Sequence, residues 1–306
     1  MNFYRIEETL IPCEQEDIFS CSVPFVAVMS PQEYLEHRDK FETRIDMEMD
    51  LSHVHDTKAV VNHDCLTGTL NVPDHECFRE DKFKLAFILD GKGIVLIDAD
   101  DYTHRQVEEI RNTRRWKLPS LERFFYDFLE ETIKHDIPFL ERIHANLDSI
   151  ERSIMKGDIE EYPIQLNDIR SDLLDMYRHY EHLIDLAKEL EENENGFFIE
   201  DNLRYFHLFA ERVQRLQDHV MTLREYISQL RDLVSEQLTI RQNKIITFLT
   251  VITSIFMPLT LIAGWFGMNF TNMPSINSTV GYPLTIGASI VVVIVQLVWF
   301  RKNKWL

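Results

Sequence analysis

The sequence predicts an α/β domain followed by long α-helices and two C-terminal transmembrane helices. Three observations predict it. The 56-residue stretch Ile245–Phe300 contains no Asp, Glu, Lys, Arg or His. From Ser120 to that stretch, helix-breaking residues are few and clustered. Before about residue 118, short apolar runs alternate with turn signals, as strands and short helices do. The 306-residue chain carries a net charge of −19, and Arg301, Lys302 and Lys304 follow the uncharged stretch, so the first 244 residues carry −22. This pattern excludes a simple soluble protein. It also argues against nucleic-acid binding, which needs a basic footprint.

Residues 1–118 form the first predicted domain. Val23–Met29 reads as a strand, and Ser30-Pro31 then opens a helix, with Ser as N-cap and Pro in the first turn. Phe83–Leu89 and Ile94–Ile97 flank Asp90-Gly91-Lys92-Gly93, which signals a hairpin in a small sheet. Asp100–Asn112 reads as a helix. Residues 119–244 form a helical domain. One helix is expected from Ser120 to Lys156, ending at Gly157-Asp158. A second is expected from Ile164 to Glu192, ending at Asn193-Glu194-Asn195-Gly196. The next breaker is Pro258, so a third helix is expected to run from about Phe198 to Phe266, carrying the domain and the first span on one rod.

Residues 245–306 form the membrane domain. Ile245–Phe266 matches the roughly 20 helical residues that cross a 30 Å hydrocarbon core. A second span is expected at about 282–300, with a Gly-, Pro- and Asn-rich outer loop at 267–281. Arg241 and Lys244 precede the first span, and Arg301, Lys302 and Lys304 follow the second. Basic flanks stay in the cytoplasm, so both termini are expected there, in the cell membrane. The acidic start, MNFYRIEETL, reads as neither a signal nor a transit peptide. Cys13, Cys21, Cys65 and Cys77 form no CxxC pair, which argues against a zinc finger or a thioredoxin-like site.

One face of the long helix is polar. Steps of three and four residues join Asp232, Glu236, Thr239, Asn243, Ile246, Thr250, Thr253, Met257, Thr260, Gly264 and Gly267. Small and hydroxyl residues on such a face can pack helices together. They can equally line a pore, and two spans cannot enclose one without several copies.

The first span ends in Gly267-Met268-Asn269. The tripeptide follows Phe256-Met257-Pro258-Leu259-Thr260 and Ala263-Gly264. It precedes Met273-Pro274, Gly281-Tyr282-Pro283 and a terminal Lys-Trp-Leu. Over about residues 220–306 this closely resembles the CorA family of divalent-cation transporters, and upstream the architecture matches. The resemblance implies a homopentameric funnel in the lipid bilayer that passes hydrated Mg²⁺, or Zn²⁺, Co²⁺ or Ni²⁺, and holds no other cofactor. Gly267, Met268 and Asn269 would form the selectivity mouth. Five neutral Asn oxygens would bind the waters of an ion that dehydrates reluctantly. Asn243, Ile246, Leu249, Thr250, Thr253, Met257, Thr260 and Gly264 would line the pore, and Ile246, Leu249 and Met257 could block it by dewetting. Asp232 and Glu236 would supply carboxylates at its cytoplasmic end. Two features depart from the family pattern. The loop after Met273-Pro274 is uncharged, and Leu208, with Glu211 nearby, stands at an expected acidic position.

A second reading is a zinc or other transition-metal transporter of the related ZntB branch, proton-coupled in some form. His53, His55, His63, Cys65, His75 and Cys77 lie close together in sequence, and His and Cys suit zinc better than magnesium. Their spacing of two would place each pair on one face of a strand. No phosphate loop or nucleophile elbow occurs, so an enzyme is not expected. A membrane-tethered scaffold that conducts nothing would leave the Gly-Met-Asn motif unexplained.

Overall fold

A computed structural model of the chain describes residues 1–16, 23–37, 57–73, 82–158, 162–268 and 280–303. The chain divides into two compact units: Met1–Arg152 with Glu160–Arg231, and Ser153–Ile159 with Asp232–Leu306.

The first unit contains a sheet of β1 (Asn2–Ile6), β2 (Leu10–Cys13), β3 (Phe25–Met29), β4 (Lys58–Val61), β5 (Leu66–Pro73), β6 (Lys82–Leu89) and β7 (Gly93–Asp98). Their order is β2-β1-β3-β7-β6-β5-β4. Only β3 and β7 run parallel; the other neighbours are antiparallel. The sheet is therefore larger than the sequence signals suggested. β3 and β7 are buried along their whole length, so their continuous apolar runs are those of strands covered on both faces. The expected hairpin forms with Leu89 opposite Ile94. Asp90 builds its turn, accepting from the amides of Lys92 at 2.7 Å and Gly93 at 2.8 Å. Gly68 sits opposite Phe87. A Cβ on Gly68 would collide with the Phe87 ring and come within 2.6 Å of the Lys58 carbonyl, so the close strand approach requires glycine there.

Helix α1 (Pro31–His37) starts as expected. Ser30 Oγ accepts from the Glu33 amide, and the Glu33 carboxylate accepts from the Ser30 amide, a reciprocal capping box. Tyr34 of α1 joins Phe25, Ala27, Met29, Cys65, Ala86, Ile88, Val95 and Ile97 in the core on one face of the sheet. Helix α2 (Tyr102–Thr113) follows β7. The single helix expected over Ser120–Lys156 is two helices, α3 (Leu121–Thr132) and α4 (Asp136–Met155). Pro138 explains the break. It has no N–H for the Lys134 carbonyl, and without a substitute donor it fits best within the first turn of a new helix. Phe124, Phe125, Phe128 and Leu129 of α3 are fully buried. The Phe125 ring lies 5.2 Å from that of Phe87 in the sheet.

Helix α5 (Tyr162–Glu192) ends where the Asn193–Gly196 breaker predicts, with Asn193 and Gly196 both at positive φ. The long helix α6 spans Arg204–Phe266, starting later than about Phe198. Side-chain hydrogen bonds hold the intervening backbone out of the helix. The Asn193 amide brackets both backbone groups of Phe198, and Glu122 accepts from the Ile199 amide at 2.7 Å. Within the first unit α6 buries Phe206, Phe209, Val213, Leu216, Val220, Leu223, Ile227 and Leu230. Their spacing alternates strictly between three and four, the signature of a coiled-coil seam. This seam is a different face from the polar stripe read in the sequence.

Candidate ion pathway on the first span

In the second unit, α6 and α7 (Gly281–Lys302) are both long and apolar enough to cross a membrane. Only 6% of the apolar window of each is buried, so neither is the core helix of a soluble fold. The expected spans at 245–266 and about 282–300 lie inside these two helices.

Each helix has one face turned inward within the unit. On α6 the buried and partly buried positions include Thr247, Val251, Ser254, Pro258 and Ile262. On α7 they include Thr285, Ser289, Val292, Val293, Gln296 and Phe300. The two faces meet where Gln296 Nε2 donates to the Ser254 carbonyl at 2.8 Å. The sequence reading did not single out Gln296, although an amide inside an apolar span is a signal in itself.

The polar stripe lies elsewhere. At 3.6 residues per turn, its centre is roughly 140° around α6 from the inward face. Ile246, Leu249, Thr253, Met257, Thr260 and Gly264 are exposed, and Thr250 is partly buried. Asp232, Glu236, Thr239 and Asn243 continue it as exposed residues. Packing against the chain's own second span therefore does not account for this face.

The hydroxyls on the stripe share one geometry. Thr250, Thr253 and Thr260 each donate to the carbonyl four residues earlier, on Ile246, Leu249 and Phe256, all at 2.8 Å. A hydroxyl has one proton to give and two lone pairs. With its proton spent on the backbone, it offers its surroundings acceptors only. Acceptors are what the water shell of a cation requires, because those waters point their hydrogens outward.

At its C-terminal end, α6 stops at Phe266 and the Gly267 amide donates to the Ala263 carbonyl at 2.9 Å. Met268 is exposed. Asn269, expected at the mouth, and residues 270–279, expected as a loop, lie outside the described residues.

The His/Cys set divides. His53, His55, His75 and Cys77 lie outside the described residues. His63 and Cys65 do not share a strand face as their spacing predicts, because β5 begins only at Leu66. His63 is 97% exposed, and hydrogen bonding to Asp64 raises its pKa. Cys65 is fully buried, and burial, with smaller contributions from Asp90 and Asp64, pushes its thiol up to about 11. A metal ligand must be the thiolate, which that environment disfavours. Among the described residues no group of three or more His, Cys, Asp or Glu side chains is placed to hold a metal. Leu208 is 47% exposed, while Glu211 lies 3.5 Å from His207, which also meets Glu191 at 3.2 Å.

A family model described as CorA-like Mg²⁺ transporter protein matches residues 33–302. The chain belongs to this family. CorA proteins are membrane transporters rather than enzymes, and the expectation of no enzymatic activity stands with the family. A cobalt/magnesium transport protein CorA of Thermotoga maritima is 26% identical over 181 residues, which is 59% of this chain and 52% of that protein. The alignment thus spans about half of that relative's length. The complete CorA magnesium transporter from Methanocaldococcus jannaschii has the same fold, with a TM-score of 0.82 at 17% identity over 100% of this chain and 98% of that one. The ZntB cytoplasmic domain from Vibrio parahaemolyticus matches with a TM-score of 0.55 at 10% identity, over 78% of this chain and 98% of that one. The predicted order of an α/β domain, long helices and two C-terminal apolar helices is thus the CorA order.

Proposed function

We propose that this CorA-family chain is a divalent-cation channel that admits Mg²⁺ down the membrane potential. Its first spans line the pore of a homopentamer, and its second spans form the outer ring. Both termini are cytoplasmic and the membrane is the plasma membrane. Gly267, Met268 and Asn269 form the outer mouth. Asn243, Ile246, Leu249, Thr250, Thr253, Met257, Thr260 and Gly264 line the path, and Asp232 and Glu236 stand at its cytoplasmic end. The division into residues 1–118, 119–244 and 245–306 belongs to this reading.

One observation carries it: the stripe lies on the face of α6 that the chain's own second span leaves uncovered, with its hydroxyls turned into pure acceptors. Acceptors bind the shell of hydrated Mg²⁺ without stripping it, and Mg²⁺ gives up water reluctantly. A potential of 100 mV drives a doubly charged ion inward by about 4.6 kcal/mol. Because the outer loop is uncharged, capture at the mouth falls to neutral oxygens, above all Asn269.

The test is uptake into liposomes holding the full-length protein, under an inside-negative potential. Mg²⁺ uptake blocked by hexaamminecobalt(III), and lost in Asn269→Ala, is the expected result. Uptake unchanged in Asn269→Ala overturns the mouth assignment. The zinc reading is favoured by the fold shared with a ZntB cytoplasmic domain. Zn²⁺ uptake that follows a proton gradient, with little Mg²⁺ flux, would establish it in place of the magnesium channel.

A further inference from the structure

Pro258 sits inside α6. In a regular helix the amide of residue 258 would donate to the carbonyl of Ser254, four residues earlier. Proline has no N–H, so that carbonyl loses its helical partner. In hydrocarbon an unsatisfied carbonyl is costly, and proline is tolerated in a span where a neighbouring group replaces the missing donor. The replacement is present. Gln296 Nε2, from α7, donates to the Ser254 carbonyl at 2.8 Å. Only one orientation of the amide allows this, because the other would set its oxygen against the carbonyl oxygen. The Gln296 Oε1 atom is buried and has no hydrogen-bond partner among the described residues. The Ser254 carbonyl therefore accounts for the placement of the amide.

We propose that Gln296 is a positioning residue of the ion path: it latches the second span to the carbonyl that Pro258 frees, and so sets the rotation and register of the stripe. This rests on the channel reading above. Pro258 lies between Met257 and Thr260, so the freed carbonyl and the stripe occupy the same two turns. The inward face of α6 carries Ser254 and Pro258, and the exposed positions Thr253, Met257 and Thr260 lie about a third of a turn around the helix. A side-chain hydrogen bond made at the carbonyl that Pro258 frees fixes both the height and the rotation of the helix. An apolar contact at the same place could slide.

The proposal makes the two positions depend on each other. Pro258→Ala restores an N–H at residue 258, so the Ser254 carbonyl regains its helical partner and no longer needs Gln296. The experiment compares wild type, Gln296→Leu, Pro258→Ala and the double variant, each as full-length protein. Potential-driven Mg²⁺ uptake is measured in liposomes, and the thermal midpoint in detergent. Gln296→Met, which keeps an unbranched shape without the donor, runs in parallel in case the Leu variant does not fold.

The expected result is a drop of about threefold in maximal uptake for Gln296→Leu, the scale of one interhelical hydrogen bond. The half-saturating Mg²⁺ concentration is unchanged, because the mouth is untouched. The thermal midpoint also falls. In the Pro258→Ala background the same substitution has little effect on either quantity. Equal losses in both backgrounds, or no loss beside Pro258, overturn the latch. If wild-type protein passes no divalent cation, the channel reading fails on its own account. The thermal midpoints then still decide the latch, by whether the two substitutions couple or add.

Discussion

The Tyr180 hydroxyl donates to the Asp136 carboxylate at 2.8 Å, joining α5 to the first residue of α4 across 44 positions of sequence. Both residues are buried, Tyr180 at 0% and Asp136 at 1% exposure. Asp136 also opens the helix that Pro138 restarts, so one contact fixes where α4 begins and what it packs against. Tyr180→Phe keeps the ring and removes the donor. We predict a loss of about 1.5–3 kcal/mol in unfolding free energy, the worth of one hydrogen bond to a charged group. Denaturant unfolding of the full chain in detergent checks it, and an unchanged midpoint would remove the pair from the account of stability.

A stronger effect is expected at Asp127. Its carboxylate is 1% exposed and accepts from Trp116 Nε1 at 2.7 Å and from Arg123 Nε at 3.2 Å, with Arg114 at 3.9 Å. Asp127→Ala leaves the buried Trp116 indole without its acceptor and removes the ion-pair partner of the part-exposed Arg123 and Arg114. The expected cost is about 3 kcal/mol or more. Thermal unfolding reads it directly.

Alkali should destabilise the first unit. The Cys65 thiol, ordinarily near 9.0, is pushed up to about 11 by burial. The Tyr180 phenol is also raised, by burial and then by Asp136. Each group holds its proton longer when folded than when unfolded. The stabilisation is therefore complete below pH 9 and is lost for Cys65 as pH rises from 9 to 11. Stability measured against pH should fall across that window, and Cys65→Ala should remove part of the slope. A thiol reagent at pH 8 should modify Cys65 only after unfolding, because the native thiolate fraction is about one in a thousand.

On the stripe, the acceptor-only geometry separates two substitutions of Thr253. Thr253→Val keeps the shape and deletes the lone pairs, while Thr253→Ser keeps a hydroxyl that can donate to the same carbonyl. We expect Thr253→Val to lower Mg²⁺ uptake about fivefold, the worth of roughly one hydrogen bond, and Thr253→Ser to retain most of it. Equal flux in both would show that the hydroxyl serves packing only.

The elements most legible in sequence were those with strong local causes. Ser30 capped the helix that Ser30-Pro31 announces. Asp90-Gly91-Lys92-Gly93 made its hairpin, and Asn193–Gly196 ended its helix. The absence of charge from Ile245 to Phe300 marks both apolar helices, and Gly267-Met268-Asn269 in its setting carries the family resemblance. These signals act over a few residues, or over one uninterrupted stretch, so no folding partner is needed to read them.

Long-range pairing decided the rest. The parallel junction of β3 with β7 depends on a partner distant in sequence, which a short strand does not name. The break before Asp136 had a local sign in Pro138, but the burial of Asp136 under Tyr180 appeared only once α5 was in place. His63 and Cys65 looked alike in spacing and were separated by burial, one in solvent and one in the core. Sequence alone determined two long apolar stretches and a polar stripe on the first, because charge and periodicity are properties of the linear order, while the resemblance to the CorA family rested on Gly267-Met268-Asn269 in its setting. Tertiary structure decided which face of that span remains uncovered, and that the carbonyl freed by Pro258 is met by Gln296. Those facts depend on how two helices rotate against each other, which neither helix specifies alone.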